Sequence, residues 1–217
     1  METRQISGNK YFIKYVDGSE YNGETNMYKK EGKGTYTTKK GEIFDGNWED
    51  DKMEGYGECE NNLLIYHGEW SNGLQNGQGK EIWKDGSSYE GNFYMGIKHG
   101  RGLYQWTDGT RYDGEWSKGI FHGYGEFYTK NGETYKGFWI EGKRHGKGEL
   151  FYKNGDIYEG DFIEDVIEGK GVLLMQNGSR YEGQFKNKLM HGKGVMIMKN
   201  GNKKRGLWEE GLSLIHI

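Results

Sequence analysis

Residues 112–134 read YDGEWSKGIFHGYGEFYTKNGET, and most of the chain consists of copies of this stretch. Each copy opens on an aromatic-x-Gly triplet, and successive triplets start 23 residues apart, except for one interval of 22. A fixed period of this length indicates a stack of like units, each in contact with its neighbours, rather than a globule around one pocket. The triplets start at Tyr21, Phe44, Tyr66, Tyr89, Tyr112, Tyr135, Tyr158 and Tyr181.

The composition disfavours helices but does not indicate disorder. The 217 residues include no Ala and no Pro but 39 Gly, so the best helix former is missing and Gly interrupts any helix. A hydrophobic content of 33% would by itself suggest disorder. However, the 7 Trp, 17 Tyr and 9 Phe fall at fixed positions of the repeat. We therefore expect an ordered, all-β chain.

The end of each copy carries a turn signal, such as Asn131-Gly132. Asn-Gly or Asp-Gly between β-prone residues favours a two-residue type I′ turn, which needs positive φ at both residues. The sequence thus predicts tight turns along one side of the sheet and longer glycine-rich loops, such as residues 117–124, along the other. The second copy lacks the turn glycine and is one residue short, so we expect a bulge or a reshaped turn there.

Alternation along the strands assigns side chains to faces. It predicts that Tyr112, Gly114 and Trp116 share one face, where the glycine leaves room for large neighbours, and that Tyr104 and Trp106 lie on the second face. Residues that recur in phase are expected to be structural. They include Tyr89, Gly91, His99, Gly100, Gly102, Tyr112, Gly114, Trp116, His122, Gly123, Gly125, Tyr135, Gly137, Trp139, His145, Gly146 and Gly148.

These units resemble MORN repeats over almost the whole chain. On this resemblance, residues 1–20 form a leading half-repeat or cap strand, 21–203 form eight repeats, and 204–217 form a trailing half-repeat and tail. The resemblance implies an elongated single-layer antiparallel meander of β-hairpins. It also implies a non-catalytic scaffold, a dimerisation module or a groove for a partner's peptide. Residues 212–217 do not resemble a MORN strand, and three interpretations stay open for them: a cap, a true terminus or a truncation.

No catalytic, metal or cofactor site is predicted. His99, His122, His145 and His191 share one repeat position, so neighbouring copies lie two strands, or about 10 Å, apart. Zinc ligands lie only about 2.0–2.3 Å from the ion, so the histidines are expected to be structural. The Gly-x-Gly pairs precede no helix, which argues against a phosphate-binding loop. Cys59 is the one cysteine and has no His in its own copy.

Charge and hydropathy give weak signals about other partners. A net charge of −3 and a pI near 6.1 show no nucleic-acid footprint. Lys203, Lys204 and Arg205 form one small basic cluster, so direct membrane binding is not favoured. A lone cysteine and the lack of an apolar leader or membrane span predict a cytoplasmic location.

Protein binding is the favoured function, because the later strands become continuously apolar. Such runs are expected where both faces of a sheet are covered, although they can also pack within the sheet. We predict that the second face of repeats 6 to 8 docks a partner or a second copy. The end strands, residues 11–16 and 203–208, offer edges for end-to-end contact. The partner-binding candidates are Tyr104, Trp106, Leu150, Phe151, Tyr152, Leu173, Leu174, Met175, Met196, Ile197 and Met198.

The resemblance also suggests a cellular placement. MORN relatives occur in ciliary radial-spoke heads, in cytoskeletal collars and at membrane junctions. We expect a scaffold in a ciliary or flagellar axoneme, of the radial-spoke-head type, or in another cytoskeletal assembly. The alternative is a tether that associates with phosphoinositide membranes.

Overall fold

The computed structural model describes residues 1–216, and these residues form twenty β-strands and no helix. The chain divides into two compact units, residues 1–107 and 108–217. Unit 1 contains β1 (Glu2–Ser7), β2 (Lys10–Lys14), β3 (Glu20–Asn26), β4 (Lys29–Thr37), β5 (Ile43–Glu49), β6 (Lys52–Glu60), β7 (Leu64–Ser71), β8 (Leu74–Trp83), β9 (Ser88–Tyr94) and β10 (Ile97–Gln105). Unit 2 contains β11 (Arg111–Ser117), β12 (Ile120–Tyr128), β13 (Thr134–Ile140), β14 (Lys143–Phe151), β15 (Ile157–Ile163), β16 (Val166–Leu174), β17 (Arg180–Lys186), β18 (Leu189–Ile197), β19 (Lys203–Glu209) and β20 (Leu212–His216).

Within each unit, every strand pairs antiparallel with the next strand along the chain. The predicted all-β antiparallel meander is therefore confirmed. Both predicted edge strands were wrong, because each has a further strand outside it. β1 pairs with β2 outside residues 11–16, and β20 pairs with β19, so residues 212–216 form a strand although they do not resemble a MORN strand. The last residue of the tail, Ile217, lies outside the described residues.

The tight two-residue turns and the longer loops lie at the opposite ends of the strands from those predicted. The glycine-rich segment after β11 is the tight one: Ser117 pairs with Ile120, and Lys118 and Gly119 have φ of 52° and 78°. This is a two-residue turn with positive φ at both residues, as in type I′. The other pairs of this kind are Met27–Tyr28, Asp50–Asp51, Asn72–Gly73 and Met95–Gly96 in unit 1, and Glu141–Gly142, Glu164–Asp165, Asn187–Lys188 and Glu210–Gly211 in unit 2.

The Asn-Gly segments form three-residue loops instead. The amide of Gly132 donates to the carbonyl of Thr129 (3.1 Å), and the amide of Thr129 donates to the carbonyl of Glu133 (2.9 Å). Gly132 has a φ of 95° and Asn131 does not have positive φ. The Asn131 side chain accepts the amide of Glu133 (3.1 Å), which explains the preference for Asn or Asp at this position. The segment is therefore a type I turn closed by a left-handed glycine.

The short second repeat has the reshaped turn that we expected. The amide of Asn61 donates to the carbonyl of Leu64 (3.0 Å), and the Asn61 side chain accepts the amides of Leu63 (2.8 Å) and Leu64 (3.0 Å). The Asn61 side chain thus keeps the bond that Asn131 makes, while the loop is one residue shorter and has no glycine.

A layer of tyrosines on one face forms the core of each unit. Tyr112 is fully buried, and its ring lies over the paired glycines Gly114 and Gly125. A Cβ added at Gly114 would lie 2.5 Å from the Gly125 Cα and 2.6 Å from the Tyr112 hydroxyl. Trp116 lies edge-on to the Tyr112 ring, with ring centroids 5.3 Å apart. The prediction that Tyr112, Gly114 and Trp116 share a face is confirmed, and we call this the tyrosine face.

Candidate partner-binding site

The register of unit 2 divides the apolar candidates between the two faces. Leu173 pairs with Tyr158 and Tyr181, and Met196 pairs with Tyr181, so both lie on the tyrosine face. Leu150 pairs with Tyr135 and Tyr158 and lies there too. The prediction that these residues lie on the second face was wrong, because along each strand they alternate with the residues that lie on that face.

Three other candidates do lie on the second face of unit 2. Phe151 pairs with Ile157, and Leu174 pairs with Ile157 and Arg180. Ile197 pairs with Arg180 and Lys203. The remaining candidates, Tyr152, Met175 and Met198, follow directly after strands, where their amides close the three-residue loops onto Asp156, Ser179 and Asn202.

In unit 1, Tyr104 also lies on the face opposite to the one predicted. It pairs with Tyr89, whose ring belongs to the tyrosine layer. The Tyr104 ring centroid lies 5.4 Å from that of Trp83 and 4.4 Å from that of Trp106. Tyr104 and Trp106 are therefore half-buried members of an aromatic cluster.

The second face of unit 2 is concave and forms a groove of about 830 Å³ that crosses β12 to β18. Its floor is backbone, because the paired glycines there have no side chains and the tyrosine rings cover their other side. The side chains along it change in character from one end to the other. They are Tyr124 and Phe138, then Lys136, Lys147, Glu149 and Glu159, then Lys170, Val172, Glu182, Gln184 and Lys193.

Some of the charged groups in the groove are already paired. The Lys147 ammonium lies 2.6 Å from the Asp161 carboxylate. Burial would raise the pKa of Asp161, but the hydrogen bonds from the Lys147 ammonium and the Lys170 amide outweigh it, so the pKa is lowered. Lys136 pairs with Glu126 at 3.1 Å, and Arg180 pairs with Glu182.

Other charged groups in the groove have no ion pair. Glu149 and Glu159 lie directly opposite each other on β14 and β15, and both are exposed. Among the side chains of residues 1–214, no cationic group lies within 4.0 Å of either carboxylate, and no carboxylate lies within 4.0 Å of Lys170 or Lys193. These four groups are thus available to charges on a partner.

Sequence reasoning missed the row of lysines. Lys147, Lys170 and Lys193 each occupy the middle of a Gly-x-Gly triplet, so they recur at the repeat period. The last two belong to a segment, residues 169–208, that holds nine Lys or Arg against one Glu, a net charge of +8 in a chain of net −3. Counting charge by repeat position and by segment would have found them.

Two of the histidines that share a repeat position contact the tyrosine layer through their backbone. The carbonyls of His122 and His191 accept hydrogen bonds from the hydroxyls of Tyr112 (3.4 Å) and Tyr181 (3.3 Å). Burial raises the pKa of the Cys59 thiol to about 11. Within residues 1–214, whose side chains the structure describes, no group of three or more His, Cys, Asp or Glu side chains is arranged to hold a metal ion. The same residues include no helix that could cross a membrane.

Three cations lie within the tyrosine layers, all nine residues after the tyrosine of their repeat. Arg144 lies with its guanidinium carbon 5.6 Å from the Tyr135 ring centroid, and its Nε donates to Asp165 (2.9 Å). In unit 1, the Lys30 ammonium lies 4.7 Å from the Tyr36 ring centroid and 3.3 Å from Asp51. Lys98 pairs with the buried Glu81 at 2.6 Å. The other repeats have an uncharged, mostly apolar residue at this position, so these cations are part of the core. Those residues are Met53, Gln75, Phe121, Ile167 and Met190.

The chain belongs to the MORN-repeat family. The family matches residues 21–43, 44–61, 66–88, 89–111, 112–134, 135–157, 158–180 and 181–203. Seven of these matches span 23 residues and one spans 18, which together make 179 of 217 residues. No curated protein is matched by the sequence.

Solved structures with a similar fold are distant in sequence. The TCP10 domain of CPAP from Danio rerio is 7% identical, with a TM-score of 0.50 over 95% of this chain and 98% of that chain. The TCP domain of SAS-4 (dCPAP) from Drosophila melanogaster, in complex with a proline-rich motif of Ana2, is 12% identical, with a TM-score of 0.42 over 96% and 97%. The similarity to the Danio rerio domain concerns the fold alone.

Proposed function

We propose that this MORN-repeat chain is a non-catalytic protein-interaction module whose second face in unit 2 holds a partner chain. The observation that carries the proposal is the open groove across β12 to β18, with apolar and unpaired charged side chains along it. Exposed apolar groups such as Phe138 (50%) and Leu174 (42%) lie on this face. Exposed apolar groups rimmed by polar side chains are typical of interfaces with proteins.

The cellular role is a scaffold in a ciliary or flagellar axoneme, of the radial-spoke-head type, or in another cytoskeletal assembly. A repeat array with one structural face and one free face supports this role, because such a chain can hold partners at fixed intervals. Two modes of self-association fit this role. One is a homodimer through the second face, and the other is end-to-end contact through β1 and β20. Proximity labelling in ciliated cells tests the placement, and labelling without axonemal or cytoskeletal proteins would contradict it.

The second candidate function is membrane association. The net-basic segment 169–208, in which all nine Lys and Arg are exposed, favours it, since each Lys or Arg near an anionic surface contributes about 1 kcal/mol. Co-sedimentation with phosphoinositide vesicles tests it, and no pelleting above the vesicle-free control would exclude it.

Selection from a displayed peptide library tests the principal proposal. The wild-type chain should enrich peptides, and the Leu174→Glu/Ile197→Glu variant should lose them, because it places two charges on the second face of unit 2. The Ile43→Glu/Leu63→Glu variant is the matched control: it makes the same change of charge at exposed apolar residues of unit 1 and should retain the peptides. No enrichment by the wild type, or equal enrichment by the Leu174→Glu/Ile197→Glu variant, would overturn the proposal.

A further inference from the structure

We propose that the groove of unit 2 binds an extended protein segment with a defined order of side chains: an apolar residue, then a basic residue, then two acidic residues, at intervals of about three residues. This inference rests on the proposed function and specifies the chemistry of the partner. It follows from three features that succeed one another along the groove and from their spacing.

The first feature is an aromatic end. Tyr124 and Phe138 lie opposite each other on β12 and β13, 40% and 50% exposed. Their rings meet edge to face, with centroids 5.8 Å apart. Two exposed rings in this arrangement offer an apolar contact for one large side chain.

The second feature is the acidic pair in the middle of the groove. Glu149 and Glu159 face each other across neighbouring strands, and like charges in such a pair destabilise a sheet. Lys136 lies opposite Glu149 on β13, but its ammonium is paired with Glu126, and the Lys147 ammonium is paired with Asp161, so neither lysine forms an ion pair with the two glutamates. A lysine or arginine of the partner placed between the two carboxylates would supply the missing charge.

The third feature is the basic end. Lys170 on β16 and Lys193 on β18 are exposed and have no carboxylate within 4.0 Å among the side chains of residues 1–214. Both backbones are fixed by the repeat, since the Lys170 amide donates to Asp161 (2.9 Å) and the Lys193 amide donates to Gln184 (3.2 Å). Two ammonium groups on backbones held two strands apart match two carboxylates of the partner.

The spacing of these features sets the spacing of the partner's side chains. Neighbouring strands lie about 4.8 Å apart, so the aromatic and acidic pairs, and likewise Lys170 and Lys193, are about 10 Å apart across the strands. Lys170 is one strand from Glu159 and two residues further along the strand, because Glu159 pairs with Val172, and this makes a separation of about 8 Å. An extended chain rises about 3.3 Å per residue, so three residues cover about 10 Å. A segment that crosses the strands along the groove therefore presents every third side chain to the next feature.

The shape and charge of the groove favour a protein segment over a membrane or a nucleic acid. A planar bilayer cannot reach the floor of a concave face. Glu149 and Glu159 would repel the phosphates of a nucleic acid that ran along the whole groove. A peptide can place a positive charge in the middle and negative charges at one end.

The test uses the full chain and synthetic extended peptides of identical composition. The matched peptide carries Trp, Arg, Glu and Glu at every third position, with Gly and Ser between them. The permuted peptide carries Trp, Glu, Arg and Glu at the same positions. Fluorescence anisotropy measures both affinities for the wild type, for Lys170→Glu/Lys193→Glu and for Lys118→Glu/Lys130→Glu. The last variant makes the same change of charge at exposed turn residues of unit 2 outside the groove.

The wild type should bind the matched peptide at least tenfold more tightly than the permuted one. The Lys170→Glu/Lys193→Glu variant should lose that preference, and the Lys118→Glu/Lys130→Glu variant should keep it. Equal binding of both peptides, or no binding of either, would overturn the proposed order of charges. If the library selection still enriches peptides, only the order is wrong and the proposed function stands. Binding to phosphatidylserine vesicles that depends on Lys170 and Lys193, without discrimination between peptides, would overturn the inference in favour of a lipid surface.

Discussion

The hydroxyl of Tyr112 donates a hydrogen bond to the backbone carbonyl of Glu115, 2.8 Å away and three residues later. The same bond recurs from Tyr135 to Phe138 (3.0 Å) and from Tyr158 to Asp161 (3.1 Å). In each case the carbonyl lies where a β-bulge interrupts the pairing of the strands. The tyrosine therefore fills the space above the paired glycines and also satisfies the backbone at the bulge.

Removing this hydroxyl should destabilise the chain measurably. Tyr112→Phe should lower the free energy of unfolding by about 1 kcal/mol, the usual net value of a buried hydrogen bond. Tyr112→Ala should lower it by about 3–5 kcal/mol because a large buried ring is lost. Urea denaturation measures both values. Tyr124→Phe, at an exposed ring, is the control and should change stability by less than about 0.5 kcal/mol.

The paired glycines should not tolerate a methyl group. Gly114→Ala places a Cβ 2.5 Å from the Gly125 Cα, so the backbone must move and stability should fall by about 3 kcal/mol. Gly132→Ala meets nothing within 4 Å and only forces alanine into the left-handed region, so it should cost about 1 kcal/mol. If both variants lose the same stability, the tight approach of the strands at Gly114 is not what selects glycine.

The stability effects of Arg144, the cation in the tyrosine layer of unit 2, and of Asp165, the turn residue that it contacts, should be coupled. Asp165 has a φ of 70°, which favours glycine, but its carboxylate accepts both the amide (3.1 Å) and the Nε (2.9 Å) of Arg144. Asp165→Gly should therefore stabilise the chain more in the Arg144→Ile background than in the wild type. The difference should be about 1 kcal/mol. A double-mutant cycle by urea denaturation measures this coupling, and additive effects would show that the pair is incidental.

Stability should fall in alkaline solution. Burial raises the pKa of the Tyr112, Tyr135 and Tyr158 phenols above the ordinary value of about 10. A tyrosine whose pKa is higher in the folded than in the unfolded state stabilises the fold. This stability is fully present below about pH 10 and is lost as the pH rises towards the folded-state pKa. Each such tyrosine adds a slope of about −1.4 kcal/mol per pH unit in that window. Denaturation between about pH 10 and 12 measures the slope, which should be less steep in Tyr112→Phe by the contribution of one tyrosine.

The period and the tyrosine face were predictable from the sequence because they depend only on spacing and alternation. Tyr112, Gly114 and Trp116 are separated by two residues each, and any strand places them on one face. The turns were not predictable in the same way. Asn131-Gly132 suits a two-residue I′ turn and also a three-residue loop that ends on a left-handed glycine. Lys118 and Met27 adopt positive φ in the actual I′ turns, although neither residue type favours it.

The mistaken turns account for the mistaken faces of the candidate site. A loop one residue longer shifts the register by one, and that moves a whole strand's side chains to the opposite face. Leu173, Met196 and Tyr104 were misplaced for this reason. The groove itself depends on the concavity of the sheet and on which charges find partners, such as Lys147 with Asp161, and neither property follows from the repeat pattern.

The central claim is that the tyrosine face is structural and the second face is free to bind. Leu173 and Leu174 are neighbours in sequence on opposite faces, so they test it directly. Leu173 pairs with two buried tyrosines, whereas Leu174 is 42% exposed beside Ile157 and Arg180. The decisive measurement is the free energy of unfolding of L173E and L174E. L173E should lose more than about 2 kcal/mol because it puts a charge against the tyrosine layer, and L174E should lose less than about 0.5 kcal/mol. Equal losses, or a larger loss in L174E, would contradict the assignment of the faces and the binding site built on it.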